Sequence, residues 1–115
     1  MDKIDKIKSY KKILLDEMEY QAGLSFANAP ELKRQLIVNE DRSEFILLMM
    51  GWSKKRYKHG VLFHFEIKED KVWLHVNHTD VEIGERLAEK GIPKSDIVLG
   101  FLSKWERTLE GYAAA

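Results

Sequence analysis

The feature that most constrains this chain is a stretch in which apolar residues recur at every second position. Val61, Phe63, Phe65 and Ile67 alternate with Leu62, His64, Glu66 and Lys68, and Val72, Leu74 and Val76 alternate with Lys71, Trp73, His75 and Asn77. Successive side chains of an extended backbone point to opposite faces, so this period marks two half-buried strands. With Glu69 and Asp70 as a two-residue hairpin loop, Lys68 faces Lys71. Ile67 then faces Val72, Phe65 faces Leu74 and Phe63 faces Val76 on the side toward the core. The same register sets Glu66 opposite Trp73 and His64 opposite His75 on the other side. Glu-Asp is a weak pair for such a loop, which requires positive φ at both positions. Upstream, residues 45–50 are apolar on both faces and read as a central strand covered on both sides, ended by Gly51-Trp52.

The rest of the chain supplies what would cover this sheet. In residues 2–20, Ile4, Ile7, Tyr10, Leu14 and Met18 recur at spacings of three and four, the pattern of an amphipathic helix, with Lys11 laying its stem along the stripe. Residues 21–31 contain Gly23, Asn28 and Pro30 and read as a connector. Residues 32–39 are a shorter strand, returned by the turn at residues 39–43. Thr79-Asp80-Val81-Glu82 has the form of a capping box, from which a helix runs through Ile83, Leu87 and Ala88 to a stop at Gly91, with Pro93 barring continuation. Ile97 to Leu99 is a buried run too short to assign, and residues 104–110 have the pattern of a further short helix. The expected architecture is α+β: an N-terminal helix, a four-stranded antiparallel meander in chain order, and C-terminal helices.

A chain of 115 residues is one domain by length, residues 1–115, and can bury about two-thirds of its unfolded surface without staples. It has no cysteine, which excludes a disulfide framework and a thiolate zinc site, and its four histidines have none of the spacings that would replace one. The expected compartment is the cytoplasm. Lys plus Arg and Asp plus Glu are 19 each. That balance removes the general basic field of a stand-alone nucleic-acid binder. An apolar signal-peptide core and a span of bilayer length are both missing from the sequence, so no membrane association is expected.

Three sets of residues are candidates for function. His64, Glu66 and His75 would approach metal-ligand geometry if the histidines were cross-strand partners, about 5 Å apart at Cβ. A bound metal needs three or four converging ligands with a second shell, however, so no cofactor, metal or catalytic residue is assigned. Leu62, His64, Trp73 and His75, with Trp52 on the same broad surface, form a candidate partner surface, since aromatics are enriched at interfaces. The alternatives are closure of that surface by the C-terminal segment or by association into a homo-oligomer. Residues 53–60 are the most basic segment, where Lys54, Lys55 and Arg56 beside Tyr57 are candidate phosphate contacts on a solvated loop.

Gly51-Trp52, Arg56, Gly60, His64, the Lys71-Val72-Trp73 strand, Thr79-Asp80 and above all the block GIPKSDIVLGF, from Gly91 to Phe101, resemble the XisI family, the fdxN-element excision controlling factors of cyanobacteria. The likeness extends to the N-terminal helix, the QLIVNEDR segment and the end of the chain at Arg107, Gly111, Tyr112, Ala113 and Ala115. It departs at Glu69-Asp70, where the family has Asp-Gly, at His75, where it has Gln, and near Ser103-Lys104, where a Pro-Pro pair is missing. The resemblance implies a small α+β regulatory protein that controls a site-specific DNA rearrangement, is encoded beside an XisH-type partner resembling a nuclease fold, and is not itself a recombinase or an enzyme. Two readings compete with control through that protein partner. One is a direct DNA-binding accessory factor, and the other is a metal-dependent enzyme built on His64, Glu66 and His75.

Overall fold

The computed structural model describes residues 2–115. Its elements in chain order are α1 (Lys3–Ala22), β1 (Lys33–Val38), β2 (Glu44–Ser53), β3 (Arg56–Lys68), β4 (Lys71–Asn77), α2 (Ile83–Lys90) and β5 (Ile97–Leu99), with single 3₁₀ turns at Lys94–Asp96 and Leu109–Gly111. The strands lie side by side in the order β1-β2-β3-β4-β5. β1 to β4 form the expected antiparallel meander, but the short apolar run after α2 adds a fifth strand parallel to β4, pairing Val72 with Ile97 and Leu74 with Leu99. The sheet is therefore mixed. The direction of β5 follows from α2, which carries the chain back along the sheet as a crossover instead of a hairpin.

The β3–β4 hairpin has the two-residue loop that the alternation requires. Lys68 pairs with Lys71, Ile67 with Val72, Glu66 with Trp73 and Phe65 with Leu74. Glu69 and Asp70 both take positive φ, 53° and 63°, as a twist-matched loop demands even without glycine or asparagine. Beyond Phe65 the expected register fails. A bulge between His64 and Phe65 shifts the pairing so that His64 meets Val76 and Phe63 meets Asn77. His75 becomes the extra residue of the bulge, because two residues on one strand oppose one on its partner there.

One face of the sheet is closed by α1 and α2. Phe45, Leu47, Phe63, Phe65, Val72 and Leu74 meet Tyr10, Leu14 and Met18 of α1 and Ile83 and Leu87 of α2 in one buried cluster. Ile4, expected in the buried stripe, is 70% exposed, in the first turn of α1 where Lys3 reaches Asp70 of the β3–β4 loop. Lys11 sends its ammonium to the Asp41 carbonyl across the β1–β2 turn, at 2.7 Å. Glu17, buried on α1, binds Arg86 at 2.7 Å and Lys90 at 2.7 Å, and so fixes α2 against α1.

The helix ends are partly as the sequence indicates. α2 stops at Gly91, at φ 118°, and the amides of Gly91 and Ile92 bond back to Ala88 and Leu87. This is the paired closure that a left-handed residue permits. The start differs from the expected capping box: α2 begins at Ile83, Glu82 is its N-cap without a side-chain bond, and the Thr79 hydroxyl accepts from the Val81 amide two residues on. Thr79 is instead held by Asn77 at the end of β4, with Thr79 Oγ1 donating to Asn77 Oδ1 at 2.7 Å. The expected helix over residues 104–110 is a run of turns ending in the 3₁₀ turn, so α2 is the sole C-terminal α-helix among the described residues. Among the described residues no helix is long and apolar enough to cross a membrane.

Candidate functional site

The second face of the sheet, opposite the helices, carries every histidine and tryptophan of interest. Across β2, β3 and β4 it presents two histidine–glutamate pairs: the His64 Nε2 lies 3.1 Å from Glu44 Oε1 and the His75 Nε2 2.9 Å from Glu66 Oε1. A carboxylate can only accept, so each imidazole donates from Nε2 to its partner. The rings of His64 and His75 are 5.0 Å apart although the bulge removes their direct pairing. Each histidine is thus committed to its own carboxylate. Among the described residues no three His, Asp or Glu side chains are placed to hold a metal ion.

Trp73 is a poor free anchor. The Lys68 ammonium lies 4.3 Å and the Arg107 guanidinium 5.3 Å from its ring centre. The backbone of Gly100 lies against its ring, since a Cβ there would come within 3.3 Å of Trp73 Cε3 and 3.2 Å of His75 Nδ1. The segment after β5 therefore closes this face at β4, and Arg107 is tied into it through the Leu102 carbonyl at 3.0 Å. Leu62 leaves the expected surface altogether. A second bulge, between Leu47 and Leu48 of β2, pairs Leu47 with Phe63 and Leu48 with Val61, so Leu62 is the unpaired residue and turns into the core, where it is 5% exposed.

The uncovered part of the face lies over β1, β2 and the first half of β3. Pairing places Ile37 beside Ile46, Gln35 beside Leu48 and Lys33 beside Met50 on this side, while Phe45 and Leu47 point into the core. The sequence is apolar on both faces here, but the structure covers only one: Ile46, Leu48 and Met50 are half-buried and Ile37 is 44% exposed. The expectation of a strand covered on both sides is thus not met within this chain.

The same face runs out onto an arm. β2 does not end at Gly51-Trp52. It continues to Ser53, which pairs with Arg56, so the basic segment is mostly strand and its loop is Lys54-Lys55, with Lys54 at φ 58°. β1 pairs with β2 only as far as Met50, and β4 with β3 only as far as Phe63, so the ribbon tip extends beyond both neighbours. Trp52 and Tyr57 are cross-strand partners there, edge to face at 5.5 Å, and are 61% and 55% exposed. Lys54, Lys55, Arg56 and Lys58 are exposed around them, and among the described residues none of these cations is in a salt bridge.

A family model described as XisI protein matches residues 1–114. The chain belongs to the XisI family. Two solved structures from Anabaena variabilis are similar over nearly their whole length. A XisI-like protein is 27% identical with a TM-score of 0.74, the match covering 99% of this chain and 100% of the other. The fdxN element excision controlling factor XisI is 26% identical with a TM-score of 0.76, over 96% of this chain and 99% of the other. No curated protein matches the chain.

Within this XisI fold, residue type and alternation place His64, His75 and Trp73 on one face, but the apolar surface beside them does not follow from either. The signal was present in the double-sided apolarity of residues 45–50. The Trp52–Tyr57 pair is hidden when the strand is ended at Met50 and residues 53–60 are taken as a loop, since β2 runs three residues further, to Ser53.

Proposed function

We propose that this protein is a non-enzymatic controlling factor that acts in the cytoplasm by binding another protein, an XisH-type nuclease-like partner, and through it regulates a site-specific DNA rearrangement. Membership of the XisI family and the likeness to a chain named as an excision controlling factor support the regulatory part. The observation that carries the protein-contact part is the uncovered apolar face of β1–β3, where Ile37, Ile46, Leu48 and Met50 lie in register without a covering element. Apolar surface of this kind, rimmed by polar groups, is what a partner buries. His64 of β3 and Trp73 and His75 of β4 form its margin, and Leu62 supports it from the core side.

Co-expression with the product of the neighbouring gene, followed by size-exclusion chromatography with light scattering, tests the proposal. The expected result is a stable hetero-complex that Leu48→Asp weakens at least tenfold while circular dichroism stays unchanged. Separate elution of the two proteins at about 50 µM, near the weak end of useful affinity, contradicts it.

A further inference from the structure

The ribbon tip differs in chemistry from the sheet face it extends. Lysine is depleted in the cores of protein–protein interfaces, where its flexible, strongly hydrated ammonium is costly to bury. Here Lys54, Lys55, Arg56 and Lys58 cluster at one end of the β2–β3 hairpin, joined by Lys33 on the neighbouring edge, against the single carboxylate of Glu31. An open groove of about 580 Å³ lies beneath the tip, lined by Glu31, Lys33, Met50, Trp52, Lys54 and Tyr57. The chain is neutral overall, so this local excess of positive charge is a built asymmetry and not a general property of its surface.

The aromatic rings decide which polyanion such a surface suits. A duplex offers phosphates to the cations but keeps its base faces stacked on one another, leaving nothing for an exposed Trp and Tyr. An unpaired strand offers both, because every base has a free face for an aromatic ring while the adjacent phosphates meet lysine and arginine. Trp52 and Tyr57 are more than half exposed, side by side on one face, with Lys54, Lys55 and Arg56 between them and Lys58 after them in the chain.

We propose that the β2–β3 arm is a binding site for single-stranded nucleic acid, with Trp52 and Tyr57 as the stacking platform and Lys54, Lys55, Arg56 and Lys58 as phosphate contacts. The site adjoins the uncovered face of β1–β3 assigned above to a protein partner, meeting it at Met50, but its binding residues lie beyond that face on the arm. It gives a neutral protein a local hold on strands opened during DNA processing. The affinity is modest and its salt dependence is limited, because few cations contribute.

Fluorescence anisotropy of the full chain with labelled dT20, the corresponding 20-base-pair duplex and polyglutamate tests this directly. The expected result is binding of dT20 at low salt, at least several-fold tighter than the duplex or polyglutamate. The slope of log affinity against log salt should be no steeper than about −3, the value for release of roughly 4 counterions from a single strand. Trp52→Ala should cost about tenfold or more, and Lys54→Ala with Lys55→Ala and Arg56→Ala should flatten the salt slope. Leu48→Asp should leave dT20 binding intact, which separates this site from the partner surface. Equal or tighter binding of duplex or polyglutamate overturns the proposal, as does dT20 binding unchanged by Trp52→Ala or absent at 100 µM. Exposed aromatics at a hairpin tip carry little of the core, and unchanged thermal unfolding of the variants confirms that a loss is not a folding defect.

Discussion

Glu17 shows how much of this fold depends on single residues that the sequence does not mark. It lies on the buried side of α1 and is fully enclosed, accepting from Gln21 within the helix and from Arg86 and Lys90 of α2. Burial alone would push its carboxyl up, but the hydrogen bonds from Arg86, Gln21 and Lys90 outweigh that and hold it below its usual value. Such a group stabilises the fold above its unfolded pKa, about 4.3 for a glutamate. That contribution is lost as the pH falls through the lower folded value. Chemical denaturation should therefore show stability falling as the pH drops below about 4, with a shallower fall in Glu17→Gln. The two partners should also respond unequally. Arg86→Ala leaves a buried carboxylate with less compensation and should cost about 3 kcal/mol, whereas Glu17→Met leaves two cations that reach solvent and should cost less. Equal losses in the two variants would contradict this account. Residues 17 and 86 are far apart in the chain, and neither periodicity nor charge pattern connects them. In the sequence Glu17 is indistinguishable from a solvated helix residue.

At the scale of elements, the alternation of residues 61–76 was sufficient to place a hairpin and its inward side, because a one-residue slip would have turned Phe63 and Phe65 to water. The loop kept its two-residue length despite having glutamate and aspartate at positive φ, which shows that core pairing on the strands outweighs the local preference of the turn. That conflict predicts a stabilising change: Glu69→Asn with Asp70→Gly should raise the free energy of unfolding by about 1 kcal/mol. The Lys3–Asp70 ion pair lost with it is largely exposed on the lysine side and offsets little. Denaturant melts of the double variant check the sign, and an unchanged or lower midpoint would mean the loop is not strained. The bulges at Leu62 and His75 were not legible, since one extra residue in a strand leaves no trace in an alternating pattern. Nor was β5, whose three apolar residues gain their meaning only from the edge of β4 that α2 leaves open to them.

Across the whole molecule, the family likeness was legible in the block from Gly91 to Phe101 and in residues spread along the chain, and the match over residues 1–114 bears it out. What the molecule adds is an asymmetry between its two sheet faces. One is sealed by α1 and α2. The other is sealed over β4 by the segment that follows β5 and left uncovered over β1–β3. Residues 45–50 are apolar on both sides, the pattern of a strand covered twice, and this chain supplies only one cover. The central claim is that a partner protein supplies the other, and adjacent methionines on opposite faces of β2 test it. Met49 packs against the helix-side core, whereas Met50 lies on the uncovered face. Hydroxyl-radical footprinting of the chain, free and with the proposed XisH-type partner, should show Met50 oxidised readily in the free protein and protected in the complex, with Met49 slow in both and the 81% exposed Trp105 reactive throughout. A complex in which Met50 is oxidised as fast as in the free chain would contradict the account.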